Sequence, residues 1–180
     1  MKNFFITGAA CALMTALAGC SSFSNRGEID RPFIDAANQQ NFSVEKVTLT
    51  DSSTTLHGIV HFSPGQWIQI ADSSFITADG TDYTLVSIDG IPSGEHVTMP
   101  DSGVIHFAMH FPAIPSDVRN IDFAEDRGGG WQLWGIDLTG TADCNINADK
   151  VPAQVRTTNA EAKLPPFMQK KYCLMHPTAI

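Results

Sequence analysis

The sequence has 180 residues, of which 43% are hydrophobic, and a formal net charge of -8. A chain of this length is expected to form one domain around a single core. Nucleic acids and anionic lipid headgroups carry negative charge that an acidic protein repels, so the charge disfavours both as partners. We therefore expect no nucleic-acid partner.

The first 20 residues are typical of an export signal. Lys2 precedes an apolar stretch, Phe4 to Ala18, whose 15 residues fall short of the roughly 20 that cross a bilayer. The stretch leads into Leu17-Ala18-Gly19-Cys20, which resembles the lipobox of bacterial lipoproteins. The resemblance implies that residues 1–19 are a signal peptide and that Cys20 is acylated. An ordinary secretory signal, with Cys20 incidental, is the alternative.

Acylation of Cys20 predicts a protein attached to a membrane through lipid, because several buried acyl chains on one residue bind a bilayer strongly. Residues 20–40 are assigned to the lipidated cysteine and a tether, since the segment after Cys20 is small and polar. Ser21 resembles the residue that follows the cysteine in outer-membrane lipoproteins. We expect a cell-envelope, outer-membrane lipoprotein that faces the periplasm in preference to the cell surface.

A change in charge separates the last part of the chain from the rest. The segment 28–143 contains 17 acidic and 4 basic residues, whereas 144–180 contains 2 acidic and 5 basic residues. Residues 144–180 are therefore predicted to be a linker or a docked tail. Cys144 and Cys173 can pair in an oxidising periplasm, a bond worth about 2 to 4 kcal/mol, or remain free thiols.

Residues 41–143 show alternation of apolar and polar side chains with a turn signal every 8 to 12 residues or so. This pattern predicts an all-β fold, an antiparallel β-sandwich of the immunoglobulin-like type with seven to nine strands. The strongest hairpin signal is Asp79-Gly80 between FIT and YTLVSI. The predicted strands are 44–50, 54–62, a strand that starts at 67–70, the two arms of that hairpin, 104–111, 120–124 and 131–138.

Two of these strands carry paired histidines. Side chains alternate across a sheet, so His57 and His61 lie opposite Leu56 and Val60, and His106 and His110 lie opposite Ile105, Phe107, Met109 and Phe111. The apolar sets predict the buried faces, which places all four histidines outward with Phe62 inward. A metal site would need one histidine from each strand, because the two on one strand lie about 13 Å apart. A polar, solvated face is the preferred interpretation, with no metal or cofactor.

The sequence contains little evidence for a catalytic or sugar-binding site. The sequence contains no Gly-x-Ser-x-Gly, Cys-x-x-Cys or phosphate-loop motif, and we predict no catalytic residue. Adjacent carboxylates such as Glu125-Asp126 are expected on any acidic surface, so they do not indicate a catalytic pair. Trp67, Trp131 and Trp134 suggest a stacking platform for sugar, but Trp131 and Trp134 face opposite ways on a strand, so at least one belongs to the core.

The blocks GQWIQI, ADG, MPDSG and IDFAED, in that order within about residues 41–141, resemble the amino-terminal β-domain of Bacteroidetes envelope proteins that continue into a thioredoxin-like redoxin. We expect this chain to depart from the family pattern by lacking the thioredoxin-like domain. The resemblance implies an accessory module without redox activity.

We therefore expect a lipid-anchored, non-enzymatic binding or accessory module that meets an envelope protein partner through its acidic surface or an exposed strand edge. One alternative is a metal-binding or catalytic protein that uses the histidines. The other is the remnant of a truncated redoxin.

Overall fold

The computed structural model describes residues 23–141 and 151–152. This part of the chain forms strands and no helix, and it therefore contains no helix that could span a bilayer. The strands are β1 (Gly27–Asp30), β2 (Ile34–Ala37), β3 (Phe42–Leu49), β4 (Ser53–His61), β5 (Trp67–Ile68), β6 (Phe75–Ala78), β7 (Thr81–Thr84), β8 (Ser87–Asp89), β9 (Val97–Thr98), β10 (Val104–Pro112), β11 (Asn120–Ala124) and β12 (Gln132–Asp137).

These strands form a β-sandwich. The first sheet has the order β1-β3-β4-β10-β8, the second has the order β2-β12-β11-β6-β7, and β5 pairs with β9 in a small third sheet. All pairings are antiparallel. The predicted all-β antiparallel sandwich is confirmed, and its immunoglobulin-like type stays a prediction.

One hydrophobic core lies between the two large sheets, and aromatic rings join them. Phe42 on β3 contacts Phe123 on β11 edge to face, with ring centroids 5.5 Å apart. The Phe42 ring also stacks on Phe107 of β10 and on Trp131, at 5.9 and 5.1 Å. Such aromatic pairs contribute about 0.5 to 1.5 kcal/mol beyond their buried area. Phe42 is therefore the centre of the contact between the sheets.

The buried faces of β4 and β10 are the ones that the alternation in the sequence predicts. Leu56, Val60, Phe107 and Met109 are buried, and the histidines of both strands lie on the opposite face. Phe62 departs from the prediction. It is 40% exposed, because β4 ends at His61 and the chain turns before the Phe62 side chain reaches the core.

The sandwich begins earlier in the chain than the sequence pattern indicates. Residues 27–37, assigned to the tether, form β1 at the edge of the first sheet and β2 at the edge of the second. Each strand has only four residues, too few to show a two-residue period clearly. Short strands of this kind also raise the number in the described residues to twelve, above the predicted seven to nine.

Several predictions concern residues outside the described ranges. The signal peptide, the acylated Cys20 and the Cys144–Cys173 pair lie there, as does most of the segment 144–180. Val151 is described within that segment, and its side chain is buried.

Candidate functional site

The two histidine strands are neighbours in the first sheet. In the antiparallel register of β4 and β10, His57 lies opposite Ala108, and His106 lies opposite Ile59. His57 is thus diagonal to both His106 and His110, at the separation of about 7 to 8 Å that diagonal pairs have. The four histidines form one ladder on the outward face, which we call the histidine face.

The side-chain partners of His57, His106 and His110 lie on other strands of the same sheet. His106 Nδ1 lies 2.9 Å from Glu45 Oε2, and His110 Nε2 lies 2.9 Å from Asp89 Oδ2. His57 Nε2 lies 3.2 Å from the hydroxyl oxygen of Thr48. Within the described residues, no group of three or more histidine, cysteine, aspartate or glutamate side chains is arranged to hold a metal ion. The imidazoles therefore engage separate neighbours.

The electrostatics of His57 favour its neutral form. Partial burial lowers the pKa of His57 first, and the nearby Lys46 ammonium lowers it further. A neutral His57 beside Thr48 extends a hydrogen-bonded polar surface across β3, β4 and β10. This arrangement matches the solvated face that the sequence predicts.

A cleft of about 380 Å³ opens at another place, where the segments that flank β3, β4, β5 and β12 meet. Its volume lies within the range of about 300 to 1,000 Å³ that small-molecule sites occupy. The lining combines aromatic rings with amide and carboxylate side chains. It consists of Gln39, Asn41, Phe62, Trp67, Ile68, Gln69, Glu125, Gly130 and Trp131.

Trp67 supplies the largest exposed ring of this cleft, with 56% of the residue accessible to solvent. The ring stacks on His96, with centroids 3.9 Å apart and planes inclined by 21°. The backbone beneath Trp67 is fixed, because β5 pairs with β9 and places Trp67 opposite Thr98. The indole is therefore presented to solvent from a supported position.

Glu125 holds the opposite wall of the cleft in place. Its carboxylate accepts hydrogen bonds from the backbone N–H groups of Ala71, at 3.2 Å, and Trp131, at 3.0 Å. Gly130 has φ of +69°, and a Cβ there would collide with the Glu125 carboxylate. Glycine at position 130 therefore lets the loop between β11 and β12 close onto Glu125.

Amide side chains complete the polar part of the lining. Asn41 Oδ1 accepts a hydrogen bond of 3.1 Å from the indole N–H of buried Trp131, so its amino group is the part that can donate to a ligand. Gln69 Nε2 donates to the Gly94 carbonyl oxygen at 2.7 Å, which leaves its amide oxygen as an acceptor. The cleft can thus offer both donors and acceptors beside an aromatic surface.

Comparison of the chain with protein-family models, curated proteins and solved structures finds no match. The resemblance to envelope redoxins stays a prediction. The assignment of function therefore depends on the geometry of the chain itself.

The sequence pattern indicated part of this cleft. Trp67 is exposed as a stacking platform requires, whereas Trp131 is buried and Trp134 on β12 is half-buried. The three indoles therefore do not form one platform. The roles of Phe62 and Glu125 were missed, because both depend on where a strand ends and how a glycine loop folds back. No local sequence pattern points to either residue, although the Pro64-Gly65 turn after β4 agrees with the exposure of Trp67.

A cluster of three aspartates lies away from the cleft. It consists of Asp35 of β2, Asp122 of β11 and Asp137 of β12. Asp35 is only 6% exposed. Burial, followed by the negative charges of Asp122 and Asp137, raises the pKa of Asp35 to about 7. Asp35 is therefore the described carboxyl group whose ionisation the fold opposes most clearly.

Proposed function

We propose that this protein is a lipid-anchored, non-enzymatic binding module of the bacterial envelope, and that the Trp67 cleft is its binding site. The anchor is inferred from the lipobox-like sequence that ends at Cys20. The exposed Trp67 ring, supported by His96 beneath it, is the observation that carries the proposal. A cleft that combines aromatic side chains with a few polar groups is typical of a ligand-binding site.

The distribution of exposed apolar side chains supports the cleft over other surfaces. Among the described residues, the large hydrophobic side chains that stand exposed are Phe62, Trp67 and Val86, and the first two line the cleft. The outer strands of the two sheets have only three or four residues each. Edges this short offer few backbone groups to an added strand, so docking on an edge is less favoured.

Glu125 is placed to contact a ligand in the cleft. Each oxygen of its carboxylate already accepts a backbone hydrogen bond, and these bonds hold the wall of the cleft. A carboxylate fixed in this way is suited to orient a ligand. Each oxygen keeps a second lone pair that can accept a hydrogen bond from a ligand.

The proposal is tested by retention of the full-length protein, held in detergent, on washed and delipidated envelope fragments of its own cell, so that insertion of acyl chains into a bilayer does not contribute to retention. Trp67→Ala should lower the retained fraction at least about threefold, whereas Val86→Ala, which removes an exposed apolar side chain elsewhere, should not change it. Circular dichroism and thermal melting should show that both variants are folded. Equal retention of wild type and Trp67→Ala would exclude the cleft as the binding site.

The anchor is tested on the same preparation by the intact mass of the purified protein. We expect a mature chain that begins at Cys20 and carries added acyl mass. A mature chain that starts at another residue, or an unmodified Cys20, would contradict the lipid anchor and leave the test of the cleft unaffected.

A further inference from the structure

Two exposed aromatic rings of the cleft, which we call the aromatic floor, offer apolar surface to a ligand. Trp67 and Phe62 both line it and are 56% and 40% exposed. His96 stacks behind Trp67 and restricts rotation of the indole. Little side-chain entropy is therefore lost when a ligand covers this ring, which favours stacking of a flat face against it.

Polar side chains, which we call the polar rim, line the same cleft. Asn41 and Gln69 are held through one end of each amide, by Trp131 and by the Gly94 carbonyl oxygen, and Gln39 lies exposed at the rim. Glu125 adds a carboxylate whose orientation is fixed by two backbone N–H groups. A ligand that stacks on Trp67 would meet hydrogen-bonding groups along its perimeter.

From this arrangement we infer that the Trp67 cleft binds an uncharged oligosaccharide built of equatorially substituted pyranose rings. Such a ring presents C–H groups on its flat face and hydroxyl groups around its edge, which matches the aromatic floor and the polar rim. The inference deepens the proposed function and rests on it. It names the ligand class of the same site.

Charge narrows the ligand class. The chain has a net charge of -8, and the side chains that line the cleft include the anionic Glu125 but no lysine or arginine. Nucleotides and acidic polysaccharides would bring negative charge to this surface without a cation to meet it. Uncharged sugars avoid that repulsion. A proline-rich peptide, which also packs on aromatic rings, is the competing ligand, and the test below separates the two.

The test uses full-length lipidated protein in detergent micelles and isothermal titration calorimetry. Cellotetraose and chitotetraose are the probes, tetragalacturonate is the anionic control, and nonaproline is the peptide control. We expect at least one of the two uncharged tetrasaccharides to bind and neither control to do so. Intrinsic fluorescence should change with the same midpoint, because the ligand covers the exposed indole of Trp67.

Three substitutions test whether the tetrasaccharide binds in the cleft. Trp67→Ala should weaken tetrasaccharide binding at least about tenfold, Trp67→Phe should retain most of it, and Val86→Ala should match the wild type. Absence of binding by both uncharged tetrasaccharides, or binding that Trp67→Ala leaves unchanged, overturns the inference. Binding of nonaproline alone also overturns it. If Trp67 is still needed for retention on envelope fragments in either case, the proposed function stands without the sugar.

Discussion

Asp35 shows how one residue makes the stability of this fold depend on pH. Its carboxyl group is buried near two other carboxylates, and its pKa rises from 3.8 to about 7. The folded state therefore binds a proton more tightly than the unfolded state does. This contribution to stability is fully present below about pH 4, declines as the pH rises, and is lost above about pH 7.

The substitution Asp35→Asn removes this titration with little change in shape. At pH 8 we expect the variant to be more stable than the wild type, by an amount that can reach about 4 kcal/mol for the full difference in pKa. At pH 4 the two should be nearly equal. Urea unfolding at both pH values measures the effect, with Asp101→Asn on an exposed turn as the control. A gain of equal size at both pH values would contradict the role of ionisation.

At the scale of elements, the pairing of β4 with its neighbours depends on a residue without a side chain. Gly58 lies opposite Phe107 of β10 and Val44 of β3. A Cβ at this position would approach the Phe107 ring to 2.7 Å and the Phe42 ring to 2.9 Å. Glycine in the middle of a strand weakens it in general, but here it leaves space for the stacked rings of Phe42 and Phe107 on the same sheet.

Gly58→Ala tests this packing. We expect a loss of about 1 to 3 kcal/mol in the free energy of unfolding, which is typical of overpacked cores, because the two rings must shift to admit a methyl group. Gly128→Ala is the matched control, since no atom lies within 4 Å of the added carbon there. Denaturant unfolding compares the two variants. Equal stability of both would show that the core adjusts freely around Gly58.

The main strands could be predicted from the sequence because each one carries its own local signal. Asp79 and Gly80 both have positive φ, at 47° and 79°, as a two-residue hairpin turn requires, and β6 and β7 pair across them. The alternation in Val104–Pro112 likewise gave the buried face of β10. These elements can be predicted without information about the distant strands with which they pair.

The cleft could not be predicted in the same way, because distant segments build it. Trp67 and Glu125 are brought together only after β5 has paired with β9 and the glycine loop has closed before Trp131. Neither contact leaves a periodic pattern in the sequence. The exposure of Trp67 could be suspected from its position after a Pro-Gly turn, but its neighbours could not.

In the molecule as a whole, the proposed lipid anchor lies close in sequence to the sandwich that carries the Trp67 cleft. The described sandwich begins at Gly27, so few residues separate its first strand from Cys20. If Cys20 is acylated, a linker of this length keeps the sandwich close to the membrane surface. The cleft would then meet a ligand fixed within the envelope at high effective concentration. This concentration would compensate for a modest affinity of the cleft for the ligand.

Hydroxyl-radical footprinting in intact envelopes measures whether a ligand covers the Trp67 cleft in the cell. The oxidation rates of Trp67 and Phe62 are compared with those in the purified protein, and Val86, which is 70% exposed, is the internal reference. We predict that Trp67 and Phe62 are protected in the envelope while Val86 reacts equally in both samples. Equal oxidation of Trp67 in both samples, or protection confined to the histidine face, would contradict the account.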